Sequence, residues 1–231
     1  MPDPIRVRLA DAARERGALA VARSCAAWGA RYAAGRVRAG ATFEWGGERL
    51  PLFHHRHHYT WMNERGVELA LARRELEAAR GSVLEVGNVL PHYLDTSHTV
   101  VDLYERAPGV VNEDVVHYDP GHRFGLILSL STIEHVGLDE VVLDAEKPER
   151  AIRALAGLLE PGGRLWVTVP VSYNASLDER IRDGRVRFDS VRALRRDPAG
   201  WAEVDVSEAW DAAYDRLLFT ASGLLICALD R

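Results

Sequence analysis

One short stretch constrains this chain more than any other: Val83-Leu84-Glu85-Val86-Gly87-Asn88-Val89-Leu90-Pro91. It is an apolar, partly β-branched run with a single acid, and it breaks into glycine where a buried parallel strand would end. Ligands of open parallel sheets lie just beyond the carboxyl ends of such strands. A side chain at Gly87 would obstruct that approach, so glycine is what the geometry asks for. Strand-then-glycine also occurs in ordinary turns, and residues further along the chain decide its meaning.

The downstream sequence alternates strand-like and helix-like runs. Strands are expected over Ser82–Val86, Thr99–Leu103, Gly109–Asn112, Gly125–Leu130, Gly163–Val169, part of Val186–Leu194, and Gly223–Leu229. Helices are expected over Pro148–Leu159, Ala175–Asp183 and Val206–Leu217. Interleaving of this kind implies a mostly parallel sheet covered on both faces. The links from Gly87 to Thr99 and from Asp102 to Gly109 are short, leaving room for a turn or two of helix in the first and none in the second.

Upstream, Pro4–Val37 is rich in alanine and arginine with apolar residues at helical spacing, which predicts one or two helices. Thr42–Trp45, Gly46-Gly47 and Glu48–Phe53 predict a β-hairpin. A cluster of histidines and aromatics runs from Phe53 to Trp61, and a helix is expected over Glu64–Arg80, ending before Gly81.

Length and composition bound the function. The chain of 231 residues suits one sizeable α/β domain with an accessory segment. Its 47% hydrophobic and 27% charged residues are those of a globular protein. No apolar run is long enough to span a bilayer, and Met1–Ala10 lacks the apolar core of a signal peptide. The only cysteines are Cys25 and Cys227, which points to a reducing, cytoplasmic compartment. Net charge is −5, and the short pairs Arg36/Arg38, Arg73/Arg74 and Arg195/Arg196 form no phosphate-binding track, so neither nucleic acid nor membrane is an expected partner.

Four blocks recur in order: Val83–Gly87, Val100-Val101-Asp102, Phe124–Val136 with its Ser131-Thr132-Ile133-Glu134-His135 segment, and Leu158–Pro170 with its Pro161-Gly162-Gly163 turn. Together they resemble the class I S-adenosylmethionine-dependent methyltransferases. Tyr59–Glu68, which contains Thr60-Trp61-Met62-Asn63-Glu64-Arg65, is similar to a less characterised bacterial and archaeal subgroup. The resemblance implies a Rossmann-like, seven-stranded, mostly parallel sheet with an antiparallel last strand; it extends back to about Thr42, and the helical part of the expected helical and hairpin N-terminal extension lies outside it. Residues 1–80 would form that extension or lid, and residues 81–231 the cofactor-binding methyltransferase domain.

The resemblance also implies roles. Glu85 would face the cofactor's ammonium group, Gly87 would admit its backbone approach, and Asn88 would stand where the family commonly has further glycines. Asp102 would accept the ribose hydroxyls, with Glu105 as competitor. Asp114 would meet the adenine amino group or else cap a turn, and Val115 would flank the ring. Backbone carbonyls at Ser129–Ser131 would hold the ammonium end. His135 is the candidate general base for a hydroxyl acceptor, since histidine is the residue type suited to moving a proton near neutral pH; capping a helix is the alternative. Tyr59, Trp61, Arg65, Tyr173 and Asn174 would contact the acceptor. Trp61 as core, Arg65 as an ion-pair partner and Asn174 as a helix cap stay open beside that.

Ser131 stands where a related metal-dependent group carries a glutamate, and His54, His55, His57 and His58 cannot all converge on one side of an extended run. No metal is expected, and the histidines read as a lid or an interface. The implied activity is transfer of a methyl group (the EC 2.1.1 class) from S-adenosylmethionine to a small polar acceptor, an oxygen of a sugar or specialised metabolite. The alternatives are an N-methyltransferase of a small amine and a non-catalytic relative that binds cofactor or a partner. An exposed hairpin and aromatic N-terminal segment would suit a homodimer.

Overall fold

The computed structural model describes residues 5–37 and 40–231. Pro4, where the expected helical stretch begins, and Arg38 lie outside the described residues. Two helices, α1 (Ile5–Arg16) and α2 (Ala18–Val37), are separated by Gly17 in a left-handed conformation. The hairpin β1 (Thr42–Trp45) and β2 (Glu48–Pro51) turns on Gly46 and Gly47, both at positive φ as a two-residue turn of matching twist requires. A 3-10 segment, His57–Met62, leads into α3 (Arg65–Ala78).

Next come β3 (Val83–Val86), β4 (Thr99–Val101), β5 (Val110–Val111) and β6 (Phe124–Leu130). They are followed by α4 (Lys147–Gly157), β7 (Leu159–Pro170), α5 (Ala175–Arg182), β8 (Ser190–Arg196) and β9 (Trp201–Val204). The chain closes with α6 (Val206–Ala209), the short ladder β10 (Tyr214–Asp215) and β11 (Thr220–Ala221), and β12 (Gly223–Asp230).

The main sheet has eight strands in the order β5-β4-β3-β6-β7-β12-β8-β9. From β5 to β7 all neighbours are parallel, and β12 inserts antiparallel between β7 and β8. This is a Rossmann-like α/β sheet, and each of the seven expected strands is in it. The eighth, β9, adds an antiparallel edge after a turn in which Asp197 Oδ1 accepts from the amides of Ala199 and Gly200. Four residues give too short an alternation for sequence pattern alone to mark.

The helix expected over Val206–Leu217 stops after one turn. Asp215 accepts from the amides of Leu217 and Leu218, and Phe219 turns left-handed, so local side-chain bonds favour the β10–β11 ladder over helix. The connection from β3 to β4 holds only a 3-10 turn, Leu90–His92, and that from β4 to β5 no helix.

Both faces of the sheet are buried. On β6, Ile127 points to one face, while Leu126, Leu128 and Leu130 point to the other. The first face packs on α4 and α5 through Ile152, Leu155 and Leu177. The second packs on Val67, Leu69 and Leu71 of α3 and on Phe43 of the hairpin. The N-terminal segment from residue 42 to residue 78 is thus one of the sheet's covering layers. Truncating a fully buried leucine such as Leu128 to alanine costs roughly 2–5 kcal/mol in a core of this kind.

Candidate active-site cleft

Strands β3, β4 and β6 end at the same edge of the sheet, and a cleft of about 910 Å³ opens there. Gly87, immediately after β3, has φ +87°, and a Cβ built on it would lie 2.3 Å from Thr132 Oγ1. Only glycine meets both conditions. Gly87, Asn88, Asp102, Asp114, Val115 and His135 all line the cleft, with Val86, Val101 and Val136 supplying apolar wall.

Glu85 is placed otherwise. Its side chain is fully buried and turned into the protein, where Oε1 accepts from the amides of Val89 (2.9 Å) and Leu90 (2.7 Å). Oε2 meets His98 Nε2 at 2.6 Å. The acid within an apolar strand has its required partners, but they belong to the loop and not to a ligand. Ser129 is fully buried inside β6, its Oγ without a partner among the described residues. Ser131, at φ +42°, donates its amide to Thr168 Oγ1 (2.9 Å) and its hydroxyl to Glu68. The Leu130 carbonyl between them accepts from Arg65 and from Thr132 Oγ1. Neither serine lines the cleft, because the chain turns inward as β6 ends.

Asp102 uses Oδ1 to accept from the amides of Tyr104 (2.8 Å) and Glu105 (2.7 Å), and its Oδ2 has no partner among the described residues. Glu105 also lines the cleft and is held by Asn88 Nδ2 (2.7 Å) and His92 Nε2 (3.0 Å). Asp114 accepts from the Val116 amide through Oδ1, and its Oδ2 pairs with Lys147 at 2.7 Å. Burial pushes the Asp114 carboxyl up, but the Lys147 and Val116 hydrogen bonds outweigh it and hold the group below its ordinary value. Lys147 also donates to Glu140, which lines the same cleft. Burial lowers the ammonium pKa, and its two carboxylate partners raise it further than that.

His135 also lines the cleft, half-exposed, with Nδ1 against Asp139 Oδ2. Tyr173 OH donates to Asp139 Oδ2 at 2.5 Å and lies 2.9 Å from His135 Nδ1. Burial raises the Asp139 carboxyl, and the hydrogen bonds from Tyr173 and His135 more than reverse that. Burial and Asp139 together push the Tyr173 phenol well above its ordinary value, so it stays a donor. Nδ1 bonded to a carboxylate selects the tautomer that leaves Nε2 as the basic nitrogen.

The remaining expected contacts disperse. Asn174 caps α5, its Oδ1 accepting from the Leu177 amide at 3.1 Å and its Nδ2 donating to the Glu134 carbonyl. Arg65 is largely buried and pairs with Glu68 at 3.0 Å. Tyr59 and Trp61 line a separate cavity with Tyr32 of α2. Sequence reasoning missed Asp139, Glu140 and Lys147. Asp139 had a usable signal, since it lies one helical turn beyond His135; the pairing of Lys147 had none, because its partners come from two other segments.

No protein-family model matches the chain, and no curated protein matches its sequence. Among solved structures it is similar to the N-methyltransferase NodS from Bradyrhizobium japonicum, at 16% identity over 73% of this chain and 96% of that one, with a TM-score of 0.43. It is also similar to the glycopeptide N-methyltransferase MtfA, at 14% identity over 73% and 90%, TM-score 0.39. The sugar N-methyltransferase KedS8 from Streptoalloteichus is similar at 17% identity over 70% and 84%, TM-score 0.36. Likenesses this distant assign no activity. The geometry of the cleft has to do that.

Proposed function

We propose that the cleft binds S-adenosylmethionine and that the protein is a methyltransferase acting on an oxygen of a small polar acceptor, a sugar or specialised metabolite. One observation carries this reading: the amides of Val89 and Leu90, which a phosphate-binding loop would offer to an anion, are already taken by Glu85. Six carboxylates stand among the residues lining the cleft, and Lys147 is occupied by two of them. A phosphate-bearing dinucleotide would meet repulsion there, whereas a cationic, phosphate-free nucleoside would not.

The residues present fit such a nucleoside. Asp102 Oδ2 is free for a ribose diol, and Val115 with Val101 and Val136 offers apolar surface to a flat ring. Bound S-adenosylmethionine supplies an electrophilic methyl carbon. For a hydroxyl acceptor, His135 Nε2 takes the proton, Asp139 stabilises the resulting imidazolium, and Tyr173 holds Asp139 in place. The reading keeps the enzyme in the cytoplasm. No helix among the described residues is long and apolar enough to cross a membrane.

Isothermal titration with S-adenosylmethionine and S-adenosylhomocysteine tests it. Micromolar dissociation constants are expected; a folded protein that binds neither nucleoside sinks the proposal. Once the acceptor is found, a His135→Ala variant separates acceptor classes, because an amine acceptor can dispense with the base.

A further inference from the structure

Two carboxyls bracket the His135 imidazole, one at each ring nitrogen. Asp139, at Nδ1, is half-exposed and hydrogen-bonded. Glu134 places Oε1 3.7 Å from Nε2, beyond hydrogen-bond reach but well within Coulomb range. The Glu134 side chain is only 1% exposed, and its Oε2 has no hydrogen-bond partner among the described residues. Its one ion-pair partner among them is His135.

The surroundings decide which charge Glu134 can carry. Two more buried acids, Glu64 and Glu68, stand near it at the start of α3. Glu68 is paired with Arg65 at 3.0 Å and accepts from the hydroxyls of Ser131 and Thr168, the latter at 2.6 Å. Glu64 accepts from the Ala221 amide at 2.9 Å, and Arg196, which donates to the Met62 carbonyl, faces it. The cations of this region thus serve the other two acids. Tyr173 and Tyr214 also face Glu134, and burial holds both phenols well above their ordinary value, so they stay neutral. Burial, reinforced by Glu68 and Glu64, outweighs the pull of its own backbone amide and of Arg65 and holds the Glu134 carboxyl well above its ordinary value. A buried carboxyl without a cation is less costly as the acid than as the anion.

We infer that Glu134 is a positioning residue for the base: a neutral acid buried beside Nε2, it leaves the imidazole uncharged and able to take the acceptor's proton. An ionised carboxylate 3.7 Å from Nε2 would favour the imidazolium at rest and so remove the base. Asp139, ionised at the other nitrogen, orients the ring. In the reaction the acceptor's proton goes to Nε2 while Glu134 keeps its own. This catalytic meaning rests on the proposed methylation of a hydroxyl; the charge state of Glu134 does not.

Infrared spectra of the full chain in heavy water, with isotope-labelled glutamate to set glutamic apart from aspartic acids, test that charge state without nucleoside or acceptor. At about pH 7 the wild type should show a protonated glutamic acid band that Glu134→Gln, a neutral isostere, diminishes. The ring-nitrogen resonances of His135 should show an inflection where that band vanishes with rising pH, and Glu134→Gln should abolish it. Glu68→Gln removes a neighbouring negative charge and frees Arg65, so it should move both events to lower pH by about one unit or more. A merely structural role moves neither. The inference is overturned by a wild type without the band, by a band untouched in Glu134→Gln, or by His135 resonances that titrate identically in the two proteins. The wild-type spectrum alone decides the first of these, whether or not a variant folds. A failure of S-adenosylmethionine to bind would sink the methyltransferase reading and leave these spectra unchanged.

Discussion

Lys147 Nζ lies 2.7 Å from Asp114 Oδ2 while also donating to Glu140, so the chain's only lysine ties the loop after β5 to the loop that carries His135 and Asp139. Both carboxylates line the cleft, and the ammonium cancels much of their charge at that end. The side chain is only 10% exposed. Replacing it with methionine leaves two poorly solvated carboxylates facing each other, which should cost about 3 kcal/mol of stability. It should also shift relative affinity toward S-adenosylmethionine, a cation, and away from neutral S-adenosylhomocysteine. Calorimetry of both ligands on Lys147→Met and Lys147→Arg checks this: the ratio should move only in the uncharged variant.

His135, Asp139 and Tyr173 form one unit, and substitutions in it should be unequal. His135→Ala is expected to slow methylation of a hydroxyl acceptor by about a hundredfold or more while leaving nucleoside affinity nearly unchanged. Asp139→Asn keeps the shape but removes the charge that stabilises the imidazolium, so turnover should fall about tenfold or more and the pH–rate profile should shift. Rates of single turnover across pH separate this from a merely structural effect, which would lower affinity and rate together.

Gly87→Ala meets two obstacles at once, a positive φ and the Thr132 side chain 2.3 Å from the new Cβ. The expected loss is about 2–3 kcal/mol of stability, with nucleoside binding impaired. Removing the obstructing atoms in a Gly87→Ala, Thr132→Ala double variant should recover the steric part and leave the backbone part. Denaturant unfolding of the wild type and the three variants measures that coupling directly. Strict additivity would show that Thr132 is not the obstacle.

Asp178 gives a pH dependence with a definite sign. Burial raises its carboxyl pKa to about 6, although the Ser172 amide donates to Oδ2 at 2.7 Å. The folded state keeps a proton that the unfolded chain releases above about pH 4. The contribution to stability is therefore full below about pH 4 and is lost as pH rises through about 6. Asp178→Asn, which still offers an oxygen to Ser172, should be more stable than wild type by about 1–2 kcal/mol at pH 8 and no more stable at pH 4. Melting temperatures at the two pH values decide it; an equal gain at both would contradict the titration.

Much of this architecture is legible along the chain because its causes are local. Leu126–Leu130 is continuously apolar because both faces of β6 are covered, and alternate residues serve opposite cores. Gly46-Gly47 marks the hairpin, and Gly87 marks the strand end, because positive φ is a property of single residues. Asp102, Asp114, Val115 and His135 reach the cleft for a related reason: each lies within five residues of a strand end that is visible in the pattern.

The tertiary structure alone decided where the other groups point and whom they meet. Glu85 lies in the strand that sequence assigns to it, yet the path of the chain after Gly87 turns its carboxylate toward the Val89 and Leu90 amides and His98. Tyr173 reaches Asp139 across 34 positions of sequence, and Lys147 meets an acid from a different strand end. Periodicity records which face of an element is apolar. It holds no information on the direction of a buried polar side chain, which is set by whichever distant partner offers a hydrogen bond once the layers have closed.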